Sequence, residues 1–204
     1  MEEEKNQSGV IPEHYTGKVI DTESFVEFNS TEEAKAFFRV VKQRLLNVNA
    51  WHELAGAATA EFQVVDRSAR EVDRLVQKGD YFKIDVPGPG PVAGEGYDWV
   101  KVEEINEVSE QDMESVGIRV RPSPSPQNTE EDIAHFYSEE STSNFTVTRE
   151  GSRITAGIYD RNTKPNDEGG NLVDKARDLL VGLGAVNGFS KYQWKQLADG
   201  LLGK

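Results

Sequence analysis

Residues 79–107, GDYFKIDVPGPGPVAGEGYDWVKVEEINE, restrict the fold more than any other stretch of this chain. Apolar side chains take every second place on both sides of a run too rich in proline and glycine to be helix or ladder, so the stretch reads as strand, loop, strand. Phe82, Ile84 and Val86 face one way and Lys83 and Asp85 the other. Such a pair has one buried face and one wet face, and is expected to sit in the middle of a sheet.

The same alternation recurs at 59–66, 70–77, 97–105 and 116–122, joined by connections of mostly turn length. That is the signature of an antiparallel meander. Pro122, Pro124 and Pro126 then break the sheet, because proline cannot donate to a ladder. A short helix is expected over 130–137, followed by a hairpin over 144–160 that turns at Glu150-Gly151-Ser152.

Helical spacing frames this β-rich middle. A first strand at 18–28 leads to Ser30 and Glu33, a capping box, behind which Ala34, Phe37, Phe38, Val41 and Leu45 recur on one helical face. A helix is predicted near 31–47, with a shorter turn carrying Trp51, His52 and Leu54 up to Gly56. The chain closes with a helix in two pieces, Leu172 to Leu183 and Trp194 to Leu201, divided at Gly188.

This order of strand, helix with a short second helix, strands and final helix resembles the START-like helix-grip superfamily, over roughly 18–204. The resemblance lies in the order of elements, with no sequence motif behind it. It implies a sheet that curls around the last helix and leaves an apolar cavity between the two. The expected fold class is therefore α+β, with a curved antiparallel sheet of about 6–8 strands packed on a C-terminal helix. Residues 1–16 are expected to be a mobile acidic arm, and 17–204 a single domain.

Charge narrows the function. With 23 Lys and Arg against 36 Asp and Glu, a net −13 opposes phosphate backbones and anionic lipid, so nucleic acid and membrane surfaces are not expected partners. No stretch approaches the roughly 18 apolar residues of a membrane span, and the acidic start carries no export signal, which makes the cytoplasm the expected compartment. Eleven acidic side chains at 103–140 face only Arg119 and Arg121, which offers a surface to a basic protein partner.

Specific chemistry is sparse. The chain has no cysteine, and His14, His52 and His135 show no metal-ligand spacing, so neither a metal nor another cofactor is expected. Asp132 and His135 read as a surface pair on one helical face, and Asp85, Asp98, Glu103 and Glu104 as solvated strand residues. No catalytic set follows from these patterns. Tyr81, Tyr97 and Trp99 on the hairpin, and Trp51 and Trp194 on the helices, are either core or the lining of a pocket for an amphipathic molecule. The helix-grip resemblance implies that His52 lies at the mouth of that pocket. Three readings follow: a small apolar or amphipathic ligand held between sheet and last helix, an acidic protein-interaction module, or an enzyme using a cavity carboxylate or His52.

Overall fold

The computed structural model describes residues 5–56, 59–86, 94–127, 133–166 and 183–204, with side chains from 191 onward in the last segment. Seven strands form one antiparallel sheet: β1 (Lys18–Glu27), β2 (Glu61–Val65), β3 (Tyr81–Asp85), β4 (Asp98–Ser109), β5 (Met113–Pro122), β6 (Thr142–Glu150) and β7 (Arg153–Thr163). Their spatial order is β1-β7-β6-β5-β4-β3-β2. The sheet curves, and the C-terminal helix packs on its inner face, as the α+β reading expected.

Helix α1 (Thr31–Leu46) begins where predicted, with the Ser30 side chain accepting from the Glu33 N–H at 3.2 Å. Its Ala34, Phe38, Val41, Leu45 and Leu46 are buried. A single 3₁₀ turn (Val48–Ala50) leads to α2 (Trp51–Ala55). The last helix, α3 (Leu183–Leu201), runs unbroken through Gly188, so the expected division at that glycine does not occur. The first predicted piece, from Leu172, falls outside the described residues up to 182.

Alternation places Phe82, Ile84, Val100, Val102, Val116, Ile118, Phe145, Val147, Ile154, Ala156 and Ile158 on the inner face, under the helices. The aromatic centre of this core is Phe145, whose ring centroid lies 4.7 Å from that of Trp51 on α2 and 5.3 Å from that of Trp194 on α3. Trp51 also meets Phe62 and Phe82 edge-on, at 5.3 and 5.8 Å. Its buried indole N–H is satisfied by the carbonyls of Arg44 and Leu45.

Three local expectations give way. Residues 70–77 are not a strand; beyond one bridge from Val65 to Glu71, their polar groups are taken by other partners. Asp66 accepts from the backbone N–H groups of Ser68 and Arg70, Arg74 grips the Asp80 carboxylate, and the Val76 N–H reaches back to the Leu46 carbonyl. Without that strand the 79–107 hairpin lies next to the edge strand β2, and β5 is central. Nor is the described part of 130–137 helical: Ala134 lies alongside the ends of β4 and β5, accepting from the Trp99 N–H at 2.8 Å and donating to the Ser123 carbonyl at 3.2 Å.

Residues 5–16, expected as a mobile arm, are held against the sheet: Lys5 by Asp21 and Glu23 of β1, Ser8 and Val10 on the outer face of β5, and Tyr15 and Thr16 by Asn162 of β7. Val10 is fully buried, its carbonyl accepts from Arg119, and Gly117 leaves the space that Ser8 and Val10 fill. At the end of the sheet where β4 turns into β5 and β6 into β7, a buried guanidinium joins the two turns. Arg149 donates to Glu114 at 2.7 Å, to the Asp112 carbonyl at 3.2 Å and to the Gly151 carbonyl at 2.8 Å.

Two outcomes test this packing. Phe145→Ala, which leaves the two indoles without their shared neighbour, is expected to cost about 3–5 kcal/mol in chemical denaturation. Gly117→Ala puts a methyl where Ser8 and Val10 now sit. Limited proteolysis is expected to cut within 5–16 in that variant and spare the parent there, with far-UV dichroism unchanged.

Candidate functional site

The register decides which side chains share the interior beneath α3. The ends of β3, β5 and β7 and the starts of β1, β2, β4 and β6 lie at one end of the sheet, opposite the turns joined by Arg149. At that end the inner face changes from apolar to polar. Along β7 the series Ile154, Ala156, Ile158 continues to Asp160, which pairs in register with Ser143 on β6 and Ile20 on β1. On β4, Asp98 pairs with Ile84, one inward-facing step from Val100.

Both carboxyls are withdrawn from water, Asp160 at 1% exposure and Asp98 at 4%. Trp194 donates its indole N–H to Asp160 Oδ2 at 2.9 Å, which fixes α3 to the sheet at this point. Among the described residues Asp160 Oδ1 has no partner at hydrogen-bond distance, although the Ser143 hydroxyl, opposite it in the register, stands near enough to favour the charged carboxylate. Burial pushes the Asp160 carboxyl up to about 6, a rise tempered by the Ser143 hydroxyl, the Trp194 indole and the Arg161 charge. Burial likewise pushes Asp98 up to about 7, against the pull of the Phe136 N–H, which donates to its Oδ1 at 3.1 Å. Gln193, also buried, accepts from the Ala60 N–H and ties α3 to the start of β2.

The residues singled out from sequence divide between the two faces of the sheet. Trp51 and Trp194 come together around Phe145 on the inner face. Trp99 lies on the outer face with Val65 and Ala134, and Tyr81 and Tyr97 pack against it, the latter under the Lys83 ammonium at 4.2 Å. These three therefore do not share a chamber with the two helix tryptophans. His52 stands on α2 near the start of β2, with its Nε2 3.8 Å from Glu61 and its Nδ1 without a hydrogen bond.

His135 is not the surface residue expected. It is buried, stacks on Phe136 with centroids 4.3 Å apart, and accepts from the Tyr137 N–H through Nδ1. That bond leaves the ring proton on Nε2, and burial holds the imidazole down at about 3, so it is neutral at physiological pH. Asp132, its expected companion, falls outside the described residues. Asp98 had the pattern of a solvated strand residue and is buried instead, whereas Asp85 is exposed. Asp160 was missed, although an acid continuing the series Ile154, Ala156, Ile158 is a readable signal. Among the described residues no group of three or more His, Asp or Glu is arranged to hold a metal ion, and no helix is long and apolar enough to cross a membrane.

What results is an apolar interior in which the tryptophan–phenylalanine cluster and two buried carboxyls lie toward the same end, Trp194 touching Asp160, with carboxyls able to accept hydrogen bonds or exchange protons near neutral pH.

No family model matches the chain, and no curated protein matches it. Several solved structures resemble the chain in part. A hypothetical protein from Helicobacter pylori is 12% identical over 92% of this chain and 87% of that one, with a TM-score of 0.49. Norcoclaurine synthase from Thalictrum flavum is 14% identical over 91% and 96%, with a TM-score of 0.37. An aromatase/cyclase from a Streptomyces species is 12% identical over 91% and 93%, with a TM-score of 0.40. The activities in those names belong to those proteins.

The two raised acids set a direction for pH. Between the ordinary carboxylate value of 3.8 and about 6, unfolded Asp160 has lost a proton that the folded residue keeps, so its contribution to stability is complete below that window and falls as pH rises through it. Asp98 acts in the same sense up to about 7, while His135, neutral when folded, adds stability as pH rises from about 3 to 6.5. Asp160→Asn keeps a Trp194 acceptor and removes one titration. The parent is expected to lose about 2 kcal/mol more than this variant between about pH 4 and pH 6, measured by urea denaturation across pH.

Proposed function

We propose that the protein binds a small, mainly apolar molecule bearing a hydrogen-bond donor, held between the inner face of the sheet and α3 with its donor directed at Asp160. The observation that carries this reading is the unpartnered Oδ1 of a carboxyl buried beside Trp194 and Ile158. A buried acceptor without a partner costs about 1–3 kcal/mol, which a ligand N–H or O–H would recover. Trp51 and Trp194 form the apolar wall in this reading, and His52 stands near the chain connections at the same end.

The interaction-module reading has less support. Much of the acid expected to face a basic partner is engaged within the protein: Glu103 with Arg121, Glu104 with Arg119, Glu107 with Lys42 and Glu114 with Arg149. A catalytic version of the binding reading has one observation in its favour, the Asp98 carboxyl pushed up to about 7 on the same inner face.

Native mass spectrometry of the purified protein, followed by thermal shift with matched compounds that have or lack a donor, tests the proposal. Aromatic amines and phenols are expected to raise the melting temperature by several degrees at saturation, their donor-free analogues far less, and Asp160→Asn to erase the difference. A protein that carries no compound as purified and gains no stability from any of them would show the proposal to be wrong. Conversion of a bound compound, lost in Asp98→Asn, would favour the catalytic version.

A further inference from the structure

A concavity lies on the side of the helical layer away from the sheet. One wall is the outward face of α1, with Arg39, Val40, Gln43, Arg44 and Asn47; the other is Ala50, Leu54 and Leu75. Its volume is about 540 Å³, within the range of small-molecule sites. Val40 and Leu75 are 45% and 39% exposed, so the apolar floor is uncovered.

Charge gives this groove its character. In a chain of net −13 it is lined by two guanidinium groups and no acid. Arg44 is held in place, donating through Nη1 to the Leu201 carbonyl at 2.8 Å with its guanidinium 5.8 Å from the Phe37 ring. Among the described residues neither Arg39 nor the Gln43 side-chain amide has a hydrogen-bond or ion-pair partner. Fixed and free donors therefore overlook an apolar strip.

We infer that this groove binds an amphiphile with a carboxylate head and an aliphatic body, the head between Arg39 and Arg44 and the body along Val40, Ala50, Leu54 and Leu75. Guanidinium groups match a carboxylate with paired N–H donors, and the strip covers apolar carbon. Size favours a small molecule over a peptide. From Arg39 to Asn47 the wall extends about 12 Å along the helix, two turns, a strip too short to bury the roughly 1,200 Å² of a stable protein interface.

The test is amide and indole NMR of the isotopically labelled full-length chain, titrated with decanoate and with decanol. Decanoate is expected to shift the amides of Arg39 to Asn47, Leu54 and Leu75, to weaken with added salt, and to bind about tenfold more tightly than decanol. Arg39→Gln, at an exposed position, is expected to weaken decanoate by about tenfold while leaving the spectrum dispersed. Equal binding of decanol, or no effect of Arg39→Gln, overturns the inference, as does the absence of any shift at these amides. Shifts confined to the Trp194 indole would assign decanoate to the interior and likewise overturn it. Displacement of decanoate by a short acidic peptide that binds more tightly would replace the amphiphile with a peptide.

Discussion

The structure depends on one contact: Phe145 between two tryptophans from different helices. Trp51 reaches it from α2 and Trp194 from α3, and each indole N–H finds an acceptor, backbone carbonyls for Trp51 and the Asp160 carboxylate for Trp194. Aromatic rings supply much of the buried area in such a layer, and their edge and face geometry sets the approach of the helices more narrowly than aliphatic packing does. The position of α3 over the sheet is thus bound to the register of β6 and β7. An acid in the core serves as the fastening.

That fastening explains why the same end of the molecule is both structural and the candidate site. Asp160 is needed to satisfy Trp194, and it is buried because β7 carries its inward-facing series one residue past the apolar part. A carboxyl kept there stays partly protonated near the lower physiological range. Elsewhere charge is handled by pairing: the acids of β4 and the start of β5 find Arg119, Arg121, Lys42 and Arg149. Among the described residues, the buried charged side chains with an atom left unpartnered are Asp160, at Oδ1, and Arg149, at Nη2.

Much of this architecture was legible from the residues. The alternation through Phe82, Ile84, Val100, Val102, Val116 and Ile118 places one side chain after another on the same face, and Ser30 marks the start of α1. Residues 70–77 misled because alternation reports which way side chains point, not whether a neighbouring strand exists. There the Asp66–Arg70 and Arg74–Asp80 pairs organise a loop instead. Trp99 misled for another reason: it neighbours Val100 in sequence and so must face the opposite side, a consequence of parity that grouping aromatics by proximity conceals. The burial of His135 and Asp98 came from contacts between residues far apart in the chain, which no local pattern encodes.

Arg149 gives the molecule a stiff pole. One side chain grips the two hairpin bends at the far end from Asp98 and Asp160, so those bends cannot separate without stranding a cation in a dry environment. Opening of the sheet is thereby disfavoured at this end relative to the opposite rim. In the binding reading proposed above, a guest would enter and leave at the rim away from that heel.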